Sequence, residues 1–269
     1  MSVNFLPIGL RHHRACLNPF THDISIAKAP LGLQFDVYKR DAVGRGIYKH
    51  GAHQPVMREW MIRRFAGASG AKCLVDIGAN VGYFTCILAR LAGLEGSVIA
   101  FEPELKNLRL LNRNIALNGI RNVKVEPVAL GAEDGTASLF TYKNNNQGRH
   151  SLVASAGMTK IDVPVRRLDD VLRTQDRPFE SIDLVKIDVE GYEPFALSGA
   201  TESISRTRAL ALKFSPDLIR KTGLDPAGFL TDLRRHFRII SLVSDTAVEP
   251  TSAEACITLD RQIDIILEK

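Results

Sequence analysis

The chain has 269 residues, 45% of them hydrophobic and 24% charged, which excludes a disordered or fibrous polypeptide and supplies enough apolar side chain for one large core. Its 35 Lys and Arg against 30 Asp and Glu give a formal charge of +5. The basic pairs Arg63-Arg64, Arg166-Arg167 and Arg234-Arg235 are scattered and interrupted by acids, so they read as solvated faces and no nucleic-acid partner is expected.

Residues 1 to about 30 show little periodicity and read as a loosely structured arm. The opening MSVNFLPIGLRHHRACLNPF lacks the apolar run and cleavage site of a signal peptide. GLQFDVYK alternates Leu33, Phe35 and Val37 with polar partners, as a half-exposed strand does. Pro55 suits a first helical position, and Met57, Trp60, Met61, Arg64 and Phe65 follow at helical spacing until GASGAK breaks the pattern. KCLVDIG is then a short strand, residues 82–92 a helix, GSVIAFEP a second strand, and residues 104–118 a helix stopped by Gly119. NVKVEPVAL makes a third strand whose far end Pro127 takes out of regular ladder pairing.

Beyond it, TASLFTY and IDVPVRRL read as strands flanking the polar loop KNNNQGRHS. LDDVLRTQ is a short helix, with Asp169-Asp170 as a helix cap. SIDLVKIDVEG supplies the fourth core strand and ALALKF the fifth. Residues 226–236 form a helix, and RIISLV and RQIDIILEK close the sheet. Strands alternating with helices predict an α/β fold with a doubly wound, mostly parallel sheet. The expected organisation is an N-terminal arm over residues 1–70, carrying a strand and a helix and packing on or covering the site, followed by one α/β domain over 71–269. Cys16, Cys73, Cys86 and Cys256 show no CxxC spacing, so neither zinc site nor disulfide framework is indicated; Cys73 and Cys86 read as small core residues. With no run near the ~20 apolar residues of a membrane span, the expected location is cytoplasmic.

Chemistry concentrates in two stretches. In DIGANVGYF, Gly78 and Gly82 remove side chains where a strand turns sharply into a helix, and the helix start offers free N–H donors. Glu102 ends the next strand, 24 residues beyond Gly78. A carboxylate about twenty residues past such a turn suits a ribose diol. Asn80 stands where a dinucleotide fingerprint has its middle glycine, and no GK[ST] follows. Asp76, just before the turn, would repel a diphosphate and suit the ammonium of a methionyl group, which favours S-adenosylmethionine over NAD. In the second stretch, LVKIDVEGY, Lys186, Asp188 and Glu190 alternate with Val185, Ile187 and Val189. A parallel sheet should be apolar on both faces, so these charges must be paired, solvated at an edge, or facing a polar ligand.

DIGANVGYF, AFEPELKNLRLLNRNIALNG, VALG, RRLDDVL and LVKIDVEGYE together resemble the FkbM-type family of S-adenosylmethionine-dependent methyltransferases, in order from about Lys72 to about Phe214. The resemblance implies the seven-stranded, Rossmann-like class I methyltransferase sheet with helices on both faces, and O-methylation of sugars, polyketides or similar small molecules. It implies that Gly78, Ala79, Asn80 and Gly82, with Tyr83 and Phe84 beside them, border the methionyl part of the cofactor. Asp76 would act through the amine or through the turn itself, Glu102 through the ribose hydroxyls, and the backbone near Ala129 would border the adenine. Where relatives often carry an acid after the fifth strand, this chain has Lys213.

On that frame Asp188 and Glu190 point into the mouth where cofactor and acceptor meet, and Lys186 lies deeper, within reach of Asp188 or Asp76. Methyl transfer from a sulfonium needs alignment with the acceptor oxygen and relief of its proton. Asp188 is the first candidate base and His150, in the GRHS loop, the second. His12, His13, His22, His50, His53 and His236 have weaker claims, and no metal is specified by two carboxylates two residues apart. The expected partner is a small hydroxylated acceptor, and a homo-oligomer stays open. Two competing readings are an NAD-dependent or nucleotide-sugar oxidoreductase and a cofactor-binding scaffold without turnover.

Overall fold

The computed structural model describes residues 24–68, 70–142, 158–175, 180–259 and 261–269. It begins with a hairpin, β1 (Ile24–Lys28) against β2 (Gln34–Tyr38), antiparallel from the Ile24–Tyr38 pair to the Lys28–Gln34 pair. Two helices follow, α1 (Ala42–His50) and α2 (Pro55–Phe65). Asp41 starts α1 by accepting the Gly44 N–H at 3.0 Å, and Gly51 ends it in the left-handed conformation at φ 62°. β1 corrects the expectation of a loose arm up to residue 30: only Ala27 of its five residues is buried, so it shows little apolar periodicity of its own and is ordered by pairing with β2.

The main sheet is built from β3 (Cys73–Ile77), β4 (Ser97–Phe101) and β5 (Val123–Glu126), joined through α3 (Tyr83–Ala92) and α4 (Leu105–Leu117). After Pro127 the chain leaves this sheet. β6 (Ala129–Leu130), β7 (Gly135–Tyr142) and β8 (Met158–Arg166) form a separate three-stranded sheet in the order β6-β8-β7. The proline, with no N–H for the ladder, marks the break. Next come α5 (Leu168–Arg173), β9 (Leu184–Ile187), α6 (Glu193–Ser198), α7 (Thr201–Arg206) and β10 (Ala209–Phe214). The chain ends with α8 (Pro216–Lys221), α9 (Pro226–Arg234), β11 (Ile239–Val243), β12 (Val248–Pro250), α10 (Ala253–Thr258) and β13 (Ile263–Glu268).

The sheet order is β12-β11-β13-β10-β9-β3-β4-β5. β5, β4, β3, β9 and β10 run parallel, whereas β13 inserts antiparallel between β10 and β11. These are the seven strands of a Rossmann-like methyltransferase sheet, with β12 as a short extra edge. Alternate residues of each central strand feed two apolar clusters. Val75, Ile77, Val185, Ile187, Leu210 and Leu212 face one. Leu74, Leu184, Ala209 and Ala211 face the other, which also takes Phe35, Val37, Ile47, Met57, Met61 and Phe65 from the N-terminal segment.

A buried amide ties that segment to the sheet. Asn114 of α4 accepts the Asp36 N–H at 2.7 Å and donates to the carbonyls of Asp36 and Val81 at 3.1 and 2.8 Å. Val81 belongs to the glycine turn, so the hairpin and the turn share one clamp. Asp169 corrects another expectation. It caps not its own helix but α7, accepting the Glu202 and Ser203 N–H groups at 3.0 and 2.8 Å and the Ser203 hydroxyl at 2.6 Å. Asp170 instead pairs with Arg167 and Arg173.

Candidate active site

β3 ends at Ile77, and the chain then turns through Gly78 (φ 78°), Asn80 (φ 52°) and Gly82 (φ 85°) into α3. Glycine is required at 78 twice over. The left-handed backbone disfavours a side chain, and a Cβ there would run into the carbonyl oxygen of Asp188 on the neighbouring chain segment. The turn is pinned to β4, whose Phe101 carbonyl accepts the Gly78 and Ala79 N–H groups at 3.0 and 2.9 Å. Glu102, just past β4, is buried and holds the same turn from the other side. Its carboxylate accepts the Asn80 N–H at 2.7 Å and the Glu104 N–H at 2.9 Å. Burial pushes Glu102 up to about 7 despite those two donors.

Asp76 lies in β3 beside Lys186 of β9, a register pair of the parallel ladder. It is fully buried, accepts the Thr85 hydroxyl at 2.6 Å and pairs with the Lys186 ammonium at 3.5 Å, which in turn stands 4.9 Å above the Phe84 ring. Of the two partners the sequence offered Lys186, the structure therefore takes Asp76. β9 stops at Ile187, so the alternation in LVKIDVEGY is not one continuous strand. Asp188 to Gly191 form a turn, with Glu190 at φ 52° and Gly191 at φ 92°. Glu193, fully buried at the start of α6, braces this turn by accepting the Gly191 and Val189 N–H groups at 3.1 and 3.3 Å, and burial pushes its carboxyl up to about 8.

Lys213 of β10 reaches across to Asp188 at 2.8 Å and to Glu190 at 3.7 Å. Burial acts to raise Asp188, but Lys213 and Lys186 outweigh it and hold the carboxyl below its usual range. Burial likewise opposes the Lys213 charge, and Asp188 and Glu190 overcome it, holding the ammonium well above its ordinary value. Glu190 also accepts the Gln262 side-chain amide at 2.8 Å, and the same amide donates to the Ser215 hydroxyl at 2.9 Å.

A narrow hollow of about 40 Å³ opens at these strand tips, bordered by Gly78, Asn80, Lys186, Asp188, Lys213 and His53. Ala79, Tyr83 and Phe84 also line it. Two buried acceptors of the hollow, Asn80 Oδ1 and Asp188 Oδ1, have no hydrogen-bond donor among the described residues. Asp76 and Glu102 are not among its lining residues; their carboxylates are turned to Thr85 and Lys186 and to the backbone of the turn. Ala129 is buried in β6, paired with Val165, and His150 with its polar loop falls outside the described residues. Sequence reasoning gave His53 little weight and passed over Glu193 and Gln262. Lys213 was the one visible signal, a lysine one residue from the end of an apolar strand.

Parallel strands with their carboxyl ends gathered round a glycine turn, and antiparallel β13 inserted between β10 and β11, define a Rossmann-like methyltransferase fold. The family described as the Methyltransferase FkbM domain matches residues 76–222, more than half of the chain, and the chain belongs to that family. It is similar to methyltransferase sdnD of Sordaria araneosa, 34% identical over 48% of this chain; the chain spans 60% of the length of that relative. Among solved structures it is similar to M. jannaschii TYW2 in complex with AdoMet, at 13% identity and a TM-score of 0.42 over 91% of this chain and 85% of that one. It is also similar to the O-methyltransferase TomG of Streptomyces achromogenes in complex with SAM, at 14% identity and a TM-score of 0.43 over 80% and 79% of the two chains. Among the described residues no helix is long and apolar enough to cross a membrane, and no cluster of three potential metal ligands occurs.

Proposed function

We propose that this protein is an S-adenosylmethionine-dependent O-methyltransferase acting on a small hydroxylated acceptor such as a saccharide or polyketide. One observation carries the reading: Asn80 Oδ1 and Asp188 Oδ1 are buried, without donors among the described residues, and face one hollow at the strand tips. Buried acceptors left open in a folded protein point to a ligand that brings donors. The local charge agrees. Lys186 and Lys213 stand against Asp76, Asp188 and Glu190, two positive charges against three negative, so the cluster favours a cation and opposes a diphosphate.

The residues fit the amino-acid end of the cofactor. Asn80 and Asp188 accept from its ammonium, and the lysines face its carboxylate. Glu102, at the tip of the adjacent strand, accepts from the ribose hydroxyls, and the bare backbone of Gly78 and Gly82 permits close approach. Ala129 borders the base. Glu190 holds Lys213, and through it the position of Asp188. The described part of the N-terminal segment, from residue 24 on, acts as a cover, since His53 reaches the hollow from it. Bound there, S-adenosylmethionine supplies an electrophilic methyl on a sulfonium; this chain's residues align the acceptor, keep water out and relieve it of its proton.

Thermal unfolding with S-adenosylhomocysteine and with NADH tests the reading. Stabilisation by the first alone, together with a labelled product from methyl-labelled cofactor and a metabolite extract, is expected. Stabilisation by NADH alone would overturn it.

A further inference from the structure

We infer that His53 takes the acceptor's proton. The inference rests on the proposed methyl transfer and names the base for it. The groups lining the hollow narrow the choice. Asp188 was the first candidate from sequence, but its Oδ2 meets Lys213 at 2.8 Å and its Oδ1 is assigned to the cofactor's ammonium, so neither oxygen is left for the acceptor. Lys186 is a cation paired with Asp76, and Lys213 is a cation paired twice. The Tyr83 hydroxyl is engaged between the Gly51 carbonyl at 3.4 Å and the Arg58 guanidinium at 3.5 Å. His53 is the remaining titratable group of the hollow. Burial first, then the nearby Lys213, push its imidazole down to about 4, so at pH 7 the ring is neutral and one of its nitrogens carries a lone pair.

Its placement is built. The rings of Tyr83 and Phe84 meet it edge-on, with centroids at 6.3 and 6.1 Å. The next residue, Gln54, takes a left-handed φ of 47° and clamps its amide to both carboxylate oxygens of Asp264 at 3.0 and 2.9 Å. That anchors the link between α1 and α2 to the start of β13. Charges act on the imidazole from two strands: Lys186 and Asp188 from β9 and its turn, and Lys213 from β10. Gln54 is thus a positioning residue.

In the step, the acceptor oxygen forms a C–O bond to the methyl carbon as its O–H bond breaks, and the proton passes to a ring nitrogen of His53. The electrons of the broken C–S bond stay on sulfur as a neutral thioether, and the imidazolium then gives its proton to solvent.

The test follows the His53 imidazole by NMR across pH 5 to 9, with and without S-adenosylhomocysteine, beside His53→Gln. A neutral ring at pH 7 whose resonances move on ligand addition is expected. His53→Gln should bind S-adenosylhomocysteine within about threefold of the native protein and lose on the order of a hundredfold in transfer to a metabolite extract, the lower bound for general base catalysis. Gln54→Ala should move the His53 resonances and lower transfer less. A ring protonated at pH 7, resonances indifferent to the ligand, or a variant with native transfer overturns the inference. If the extract holds no acceptor, the titration decides alone. Failure of the native protein to bind S-adenosylhomocysteine sinks the cofactor reading itself, whereas binding beside a protonated His53 sinks only this one.

Discussion

At the amino ends of β3, β4 and β5 a groove of about 1150 Å³ runs past Arg90, Arg121, Lys124, Asp183 and Arg208, whereas the hollow at the carboxyl ends measures about 40 Å³. Size alone favours the end opposite the proposed site. In the large groove the polar groups answer one another: Asp183 accepts from the Cys73 N–H and from Arg208, both at 3.0 Å, and Arg90 donates to the Asn118 carbonyl at 3.0 Å. None of the buried, donorless side-chain acceptors found among the described residues lines it. The small hollow holds two, beside left-handed backbone at Gly78, Asn80 and Glu190 and a cluster of buried charges. Unmet bonding capacity and stored backbone strain distinguish a site from a surface depression.

The comparison can be broken by substitution. Gly78→Ala should have the largest effect, since the new methyl meets the Asp188 carbonyl in a backbone region that resists side chains. A loss of roughly 3 kcal/mol in chemical denaturation is expected, with ligand binding abolished. Lys213→Met comes next, because it strands Asp188 and Glu190 as buried charges without their cation. Breaking such a pair costs roughly 3 kcal/mol, and stability should recover in part on acidification, when Asp188 protonates.

The pH response sharpens the contrast, because buried carboxyls with raised values cluster at the carboxyl ends. Glu102 stands at about 7, Glu193 at about 8 and Asp264 at about 6, each lifted chiefly by burial. The unfolded chain gives up these protons near ordinary carboxylate values, so above those values the folded state binds more protons and its stability falls as pH rises. The fall runs to about 7 for Glu102 and about 8 for Glu193. Thermal midpoints should therefore drop by several degrees between pH 5 and 8.5, and Glu102→Gln should flatten part of that slope. In the proposed site the ribose hydroxyls favour the carboxylate form of Glu102, so affinity for S-adenosylhomocysteine should rise with pH through 7. Arg208→Ala, at the amino ends, should show the smallest effect. Its pair with Asp183 is half-exposed, so calorimetry should register under about 1 kcal/mol and no change in ligand binding.

What the sequence conveyed well was local. The apolar runs around Val75, Ile99, Val185 and Leu210 marked the central strands, and DIGANVGYF marked the turn, because a buried strand and a left-handed glycine leave their signature in a few neighbouring residues. α1 escaped because Gly44 and Gly46 lower the helix propensity of a nine-residue segment, although Asp41 caps it. The alternation in LVKIDVEGY looked like a strand until Glu190 and Gly191 proved to be a turn; Lys186 alone of its three charges lies in β9. Partnerships were far less legible: Lys186 with Asp76 was one of two pairings the sequence offered, and the others were hidden. Lys213 meets Asp188 across two strands, Asp169 caps a helix more than thirty residues on, and His53 reaches the hollow from outside the matched segment. Such pairings are decided by sheet order and register, which no short stretch of sequence states.

The most direct test is calorimetric titration of S-adenosylhomocysteine into the native protein and into Asn80→Gly. Glycine tolerates the left-handed backbone of residue 80 and removes the side-chain amide with its open acceptor. Hydrogen bonds to a charged group contribute about 1.5–3 kcal/mol, so affinity should fall roughly ten- to a hundredfold with little change in the thermal midpoint of the free protein. Equal affinity in the two proteins would contradict the account, because Asn80 would then hold nothing.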